Sequence, residues 1–150
     1  ALSSMFAYTL YDDYNRSRVV EPREWLNVDP DGDINSSDPL NYDLSVTNGW
    51  DGDRLHVYTN PEAGPNETAY VWRTVWDSPA EAEEFATGYR QLLAHWGGER
   101  VSGSPNHWRI DSGPFADDFY LEVDGDTVTI VNAPSRGDLG GVYAGYTPPS

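Results

Sequence analysis

The sequence predicts an α+β domain in which an antiparallel sheet packs against one long amphipathic helix, at about 79–96, with a short helix at the N-terminus. Segments rich in β-branched and aromatic residues lie on both sides of the long helix, which is typical of strands. Two of these segments are joined by Asp124-Gly125-Asp126, a strong hairpin signal. With 150 residues, the chain has the length of a single domain.

Within this single domain, 1–150, the sequence divides into three regions. The first, 1–14, predicts a short helix, because apolar residues recur there at helical spacing: Leu2, Met5, Phe6 and Leu10. The second, 15–49, is rich in Asp, Asn, Ser and Pro and is expected to form an ordered loop or linker. The third, 50–146, carries the strong patterns and is expected to form the α+β core.

The long helix has signals at both ends. Ser78 can cap its N-terminus, Pro79 suits the first helical position, and Glu81 completes a capping box. Gly97-Gly98 is expected to end the helix. Between these ends, apolar residues recur on one face: Ala82, Phe85, Ala86, Tyr89, Leu92, Leu93 and Trp96.

Strands are predicted on both sides of this helix. They are expected at 54–58, 69–76, 107–110, 119–123 and 127–132, with a weaker one around 100–102. The order of the five stronger strands and the helix is β-β-α-β-β-β, which predicts an antiparallel sheet with the helix across one face. The tail at 134–150 is rich in Gly and Pro, and Gly140-Gly141 argues against a long helix there.

The charge of the chain excludes several classes of partner and chemistry. Twenty-five Asp and Glu face nine basic residues, all of them Arg, for a formal charge of −16. Nucleic acid and anionic membrane surfaces both require clustered positive charge, so neither is an expected partner. The absence of cysteine excludes a disulfide scaffold, a thiol nucleophile and Cys-ligated zinc. No apolar run approaches the length of a membrane span.

The acidity also indicates a habitat. Aromatic residues make up 13% of the chain, which is too many for a disordered acidic tail. A folded domain with a dense carboxylate surface and no lysine fits concentrated salt, because the Debye length falls to about 3 Å at molar salt and repulsion is then screened. The composition resembles that of proteins from salt-accumulating archaea. An acidic domain from a mesophile is the alternative.

One stretch, 27–38, matches the spacing of a twelve-residue EF-hand loop. Gly32 occupies position 6, where the chain must turn sharply, and Ile34 occupies the apolar position 8. The predicted calcium ligands are Asn27, Asp29, Asp31, Asp33 through its carbonyl, Asn35 and Asp38. The stretch resembles one calcium loop of the dockerin family, which implies a calcium-ligand role for these positions only. A solvated Asp-rich turn without calcium is the alternative.

Catalytic motifs are not evident in the sequence. The histidines His56, His95 and His107 lack the spacing of a zinc site, and Gly-x-Ser-x-Gly does not occur. Carboxylate pairs are too numerous to single out a hydrolase site. Three tryptophans are candidates for stacking on a glycan or other small ligand: Trp50, Trp72 and Trp76. The alternative is that these aromatic residues fill the core between helix and sheet.

Three segments carry a family resemblance: 49–54, 71–77 and 82–89. They are similar to the C-terminal region of uncharacterised exported proteins, often lipoproteins, of haloarchaea and some bacteria, over roughly 2–131. Some of those proteins look like zinc peptidases in a separate N-terminal part. No zinc-peptidase motif occurs in this chain, so the resemblance implies export and an accessory role, not peptidase activity.

Three N-glycosylation sequons, which begin at Asn15, Asn35 and Asn66, also favour an extracellular or cell-surface location. The leading hypothesis is a non-catalytic accessory or binding domain of a halophilic archaeal protein, with one structural calcium if the loop binds it. Its expected partner is the rest of a longer chain or a cell-surface molecule. The alternatives are a hydrolase with a carboxylate and aromatic site, and a glycan or small-molecule binder that uses exposed tryptophans.

Overall fold

A computed structural model describes residues 26–41, 44–62 and 67–150. Six strands form one sheet: β1 (Trp50–Thr59), β2 (Thr68–Trp76), β3 (Glu99–Arg100), β4 (His107–Arg109), β5 (Asp118–Asp124) and β6 (Thr127–Ala133). The two helices are α1 (Pro79–His95) and α2 (Arg136–Val142). The strands lie in the order β1-β2-β6-β5-β4-β3, and every neighbouring pair is antiparallel.

The predicted fold class is wrong in its helices. Instead of one long helix on one face, there are two helices of 17 and 7 residues, and they pack on opposite faces of the sheet. The short helix α2 contains three glycines, a composition that disfavours a helix, and it is held by Leu139, whose side chain is fully buried. The predicted N-terminal helix at 1–14 lies outside the described residues.

Helix α1 follows the local signals in its sequence. The Oγ of Ser78 accepts a hydrogen bond from the backbone N–H of Glu81 at 3.4 Å and donates one to its Oε2 at 2.9 Å. At the other end Gly97 has φ 84°, a conformation that favours glycine, and Gly98 donates its N–H to the carbonyl of Leu93 at 2.8 Å. The helix therefore begins at Pro79 and ends at His95, next to its capping residues.

Helix α1 packs on one face of the sheet, which we call the helix face. Trp72, Ile130 and Leu121 lie opposite one another on β2, β6 and β5 and belong to the core of this face. They meet the buried side of α1, which consists of Ala82, Phe85, Ala86, Gly88, Tyr89, Leu92 and Leu93. Since α1 lies over β2, β5 and β6, this core contains most of the buried apolar side chains.

Alternate residues of the same strands point to the other face, which we call the tail face. Three side chains form its floor: Val71, Tyr120 and Val131. Leu139 of α2 packs on them, and Tyr143 and Tyr146 complete the layer. The Nη2 of Arg136 donates a hydrogen bond to the carbonyl of Pro149 at 3.2 Å. The chain after α2 is thus part of the packed structure.

Strand β1 lies at the edge of the sheet and outside the area that α1 covers. Its side chains are exposed on both faces, and Leu55 and Val57 are 57% and 60% exposed. Among the described residues, α1 therefore leaves the helix face beside β1 uncovered. Within the described part of the chain, neither helix has the length and apolar character needed to cross a membrane.

Candidate functional site

A groove of about 530 Å³ opens on the helix face, where the last turns of α1, the edge of the sheet and the loop between β4 and β5 meet. Most of its lining is aromatic or otherwise apolar. The described lining residues are Asp53, Leu55, Tyr70, Trp72, Tyr89, Trp96, Pro114, Phe115, Asp117, Phe119 and Asn132. We call this feature the aromatic groove. Its size and lining match those of small-molecule sites.

The floor of the aromatic groove is a row of side chains across three strands. Tyr70 on β2 lies opposite Asn132 on β6, and Asn132 lies opposite Phe119 on β5. Because residues directly opposite in an antiparallel pair point to the same face, all three project toward α1. Asn132 and Phe119 are buried, so the groove has a fixed base within the sheet.

Aromatic rings form the two walls. On the side of β1, the indole Nε1 of Trp72 donates a hydrogen bond to Oδ2 of Asp53 at 2.7 Å. On the other side, Trp96 stacks on Phe115 with ring centroids 4.3 Å apart and an interplanar angle of 23°. Trp96 follows the last residue of α1, and Phe115 belongs to the loop before β5. The two walls therefore come from different parts of the chain.

Two tyrosines bring their hydroxyl groups together in the groove. The hydroxyl oxygens of Tyr70 and Tyr89 are 3.4 Å apart, and either can donate. Burial is the main cause that raises the pKa of Tyr70, and it raises the pKa of Tyr89 further. Both side chains are therefore neutral at ordinary pH and act as hydroxyl donors and acceptors.

Asp117 is the carboxylic acid of the groove whose pKa is shifted. Burial raises the pKa of Asp117, and the hydrogen bond that Asn132 Nδ2 donates to its Oδ2 at 3.0 Å offsets part of this effect. The charge of Asp118 also raises the pKa of Asp117, and that of Arg109 lowers it. The Arg109 guanidinium, however, forms ion pairs with Asp118 and Asp111. Asp117 thus has a neutral amide as its hydrogen-bond partner.

The lining determines what chemistry the groove can do. Of the described lining residues, none is basic, and none is Ser, Thr or His. A nucleophile activated by a neighbouring base, as in acyl transfer, is therefore not present among them. The groove instead offers ring faces together with two carboxylates, Asp53 and Asp117. This arrangement is suited to holding a small ligand.

A family model of a domain of unknown function, DUF8575, matches residues 1–143. The chain belongs to the DUF8575 family. No curated protein and no solved structure shows significant similarity to it. All described lining residues of the aromatic groove lie within the part that matches DUF8575.

The structure places the three tryptophans proposed for ligand stacking in different surroundings. Trp72 lines the aromatic groove. Trp76 is only 2% exposed and stacks on Phe85 with ring centroids 4.6 Å apart, so it is part of the core. Trp50 is 47% exposed at the start of β1, opposite Trp76, and does not line the groove. The structure thus does not bring the three together.

The predicted calcium loop at 27–38 is closed by its own hydrogen bonds. Val28 and Ile34 pair as a β-bridge, and the backbone N–H of Asp29 donates to the carbonyl of Asp33 at 2.8 Å. The turn between them contains Gly32 at φ 89°. The stretch therefore forms a tight hairpin-like turn.

The side chains of two predicted calcium ligands, Asn27 and Asn35, form further hydrogen bonds within the loop. The Nδ2 of Asn27 donates to the carbonyls of Asp38 at 3.0 Å and Leu40 at 3.2 Å. The Oδ1 of Asn35 accepts hydrogen bonds from the backbone N–H and Oγ of Ser37. Among residues 26–41, 44–62 and 67–150, no group of three or more His, Asp or Glu is placed to hold a metal ion. Calcium binding stays a prediction for this loop.

A buried polar cluster on the tail face was not predicted. Nε2 of His107 lies 2.6 Å from Oδ1 of Asp118, and both side chains are almost fully buried. Arg109 forms an ion pair with the other carboxylate oxygen of Asp118, and the hydroxyl of Tyr146 lies 3.4 Å from Nδ1 of His107. The register of β4 against β5 brings these residues together. His56 lies on β1 and His95 ends α1, so the three histidines of the chain form no common site.

Sequence reasoning also missed most of the groove. Trp72 and Tyr70 could be assigned to one face of a strand from the alternation of residues 69–76. Asp117 and Asn132 carried no such signal, because they meet only through the pairing of β5 with β6. The stacking of Trp96 on Phe115 likewise depends on a loop whose path the sequence does not specify.

Proposed function

We propose that this DUF8575 domain is a non-catalytic binding module that holds a small ligand in the aromatic groove. The observation that carries the proposal is the open groove of about 530 Å³, whose described lining combines aromatic rings with two carboxylates and contains no nucleophile–base pair. Concave, mostly apolar sites with a few placed polar groups are typical of ligand-binding pockets. The part of the helix face that α1 leaves uncovered would thus be the ligand-binding surface.

We further propose that the module works outside the cytoplasm of a halophilic archaeon, as an accessory part of a longer chain or beside a cell-surface partner. The formal charge of −16 with no lysine supports the salt habitat. The sequons and the resemblance to exported haloarchaeal proteins support the location. One structural calcium in the loop at 27–38 belongs to the same proposal and has its own test below.

A screen of small ligands by thermal unfolding tests the binding proposal. A ligand that binds only the folded state raises its stability by about 2.7 kcal/mol at 100 times its dissociation constant. We expect at least one ligand class, among glycans, organic cations and aromatic acids, to raise the melting temperature of the unmodified chain. Trp96→Ala should abolish this rise, because it removes one wall of the groove.

The matched control is Trp50→Ala. Trp50 is an exposed tryptophan at the start of the edge strand β1, and it lies outside the groove. The ligand should stabilise this variant as much as it stabilises the unmodified chain. An equal rise in Trp96→Ala would contradict the groove as the binding site. Conversion of the ligand to a product during incubation would contradict the non-catalytic proposal and favour a hydrolase that uses Asp53 and Asp117.

A further inference from the structure

The charged residues in the described lining of the aromatic groove are all negative. Two carboxylates, Asp53 and Asp117, border it, and the described lining contains no Arg, Lys or His to balance them. The indole N–H of Trp72 is already donated to Asp53, and Asn132 donates to Asp117. The described lining of the groove therefore presents negative charge to a ligand and no positive charge.

Among the described residues, Asp117 forms no ion pair of its own. It is partly buried, and its neutral hydrogen-bond partner Asn132 lies in the buried floor of the groove. Arg109, whose charge lowers the pKa of Asp117 from a distance, is held in ion pairs with Asp118 and Asp111. A carboxylate that loses hydration without gaining a cation is costly, so a cation that enters the groove would relieve this cost.

The rest of the groove suits a cation that carries apolar substituents. Six aromatic side chains line it: Tyr70, Trp72, Tyr89, Trp96, Phe115 and Phe119. Cations are attracted to aromatic faces, and this attraction strengthens when water is excluded. The groove also lies beside Trp96, at the C-terminal end of α1, where the helix dipole is negative. Hard metal ions prefer a shell of oxygen ligands, which these rings do not supply.

From these features we infer that the aromatic groove takes an organic ammonium ion, with its alkyl groups against the rings of Trp72 and Trp96 and its charge facing Asp117. The inference rests on the proposed function and names the class of ligand. A neutral glycan fits less well, because it would bring no positive charge to the partly buried Asp117. The volume of about 530 Å³ leaves room for a larger molecule attached to the ammonium group.

A pair of probes with the same shape and different charge tests this inference. Choline is titrated into the ¹⁵N-labelled full chain in parallel with 3,3-dimethylbutan-1-ol, its uncharged carbon analogue, at constant ionic strength. The readout is the indole N–H signals of the six tryptophans. We expect choline to shift the signals of Trp72 and Trp96 and to leave that of the buried Trp76 unchanged. The neutral analogue should bind about tenfold more weakly.

Asp117→Asn is the decisive variant, because it keeps the shape of the side chain and removes its charge. It should weaken choline binding by about tenfold and leave binding of the neutral analogue unchanged. Asp53→Asn should weaken choline binding less, because Asp53 is exposed. The matched control, Asp124→Asn, removes an exposed carboxylate from the hairpin turn at the far end of β5 and should bind choline normally. The unchanged Trp76 signal reports that each variant is folded.

The outcomes separate this inference from the proposed function. Equal binding of choline and its neutral analogue would overturn the cation while leaving the groove a binding site. Binding of a neutral disaccharide without binding of choline would do the same and favour a glycan ligand. If no probe shifts Trp72 or Trp96 at millimolar concentration, and the ligand screen is also negative, both the cation and the binding module are wrong.

Discussion

On the tail face of the sheet, His107, Asp118 and Arg109 pair with one another in a closed layer, whereas on the helix face Asp53 and Asp117 border an open groove. Asp117 and Asp118, one aspartate of each set, are adjacent in the chain. Asp118 is the first residue of β5 and Asp117 directly precedes it. Because successive residues of an extended chain point to opposite faces, the two aspartates are in opposite situations. One is part of a fully paired cluster and the other has a neutral amide as its partner.

Carboxylates on the two faces are expected to serve different ends, stability on the tail face and ligand binding on the helix face. A buried carboxylate that is paired contributes to the fold, and removal of it leaves its partners uncompensated. A carboxylate beside an open groove gives the fold little and offers its charge to a ligand. We therefore expect substitutions on the tail face to change the free energy of unfolding, and those on the helix face to change binding.

The largest effect is expected for Asp118→Ala, which leaves His107 and Arg109 without their shared partner. Because His107 is fully buried, the free energy of unfolding should fall by about 3–5 kcal/mol. Urea denaturation followed by tryptophan fluorescence measures it. Asp111→Ala is the matched control, since Asp111 also pairs with Arg109 but is 87% exposed, and it should cost about 0.5 kcal/mol or less. Equal losses for the two variants would contradict the distinction between buried and exposed pairs.

Salt should act on the exposed carboxylates and not on the buried cluster. The melting temperature of the unmodified chain should rise from dilute buffer to molar KCl, because repulsion among the sixteen uncompensated negative charges is screened. The difference between the unmodified chain and Asp118→Ala should stay constant, since buried pairs are screened much less. A melting temperature that is flat or falls with salt would rule out adaptation to brine.

Asp117→Asn should have the opposite sign in stability from Asp118→Ala. Because burial raises the pKa of Asp117, its charged form is less favourable in the folded state at neutral pH, and the variant should have a slightly higher Tm than the unmodified chain. A group with a raised folded-state pKa stabilises the fold below its unfolded-state pKa and loses this contribution as the pH rises through the folded-state pKa. The advantage of the variant should therefore disappear on acidification to about pH 4.

This pH dependence is measured as the difference in Tm between the two chains from neutral to acid. A difference that grows on acidification would contradict the raised pKa of Asp117. A loss of stability at neutral pH would show that Asp117 is a structural residue like Asp118, and the contrast between the two faces would fail.

The smallest effect concerns the loop at 27–38. Asp31 is exposed, so Asp31→Ala should change the free energy of unfolding without calcium by less than about 0.5 kcal/mol. If the loop binds calcium, calorimetry on chelator-treated protein should give a dissociation constant of about 10⁻⁴–10⁻³ M, as in extracellular modules, and Asp31→Ala should abolish the signal. No heat at millimolar calcium would leave the loop as a turn closed by Asn27 and Asn35.

Helix α1 and the hairpin of β5 and β6 were predictable because their signals are local. Ser78 and Gly97 mark the two ends of the helix, and Gly125, at φ 60°, occupies the turn of the hairpin. Helix α2 was not predictable, since its glycines oppose a helix and only the burial of Leu139 in the tail face compensates for them.

The candidate site was less predictable than the fold for the same reason. Trp72 has a local signal in the alternation of its strand, and it lines the groove. Asp117 and Asn132 come together only when β5 pairs with β6, and a shift of one residue in that pairing would turn them to opposite faces. In a chain with 25 acidic residues, nothing in the sequence distinguishes Asp117 from the others.

Strand β1 borders the groove through Asp53 and Leu55 and is also the edge strand beside β2. Its backbone bonds to a single described neighbour, so it is expected to open locally at a lower free energy than the central strands. A ligand that contacts Leu55 and Trp72 together would fasten this strand to the sheet. Occupancy of the groove should therefore slow amide hydrogen exchange along the whole of β1, including amides that the ligand does not touch. The exchange rates of this edge strand would then report whether a ligand is bound.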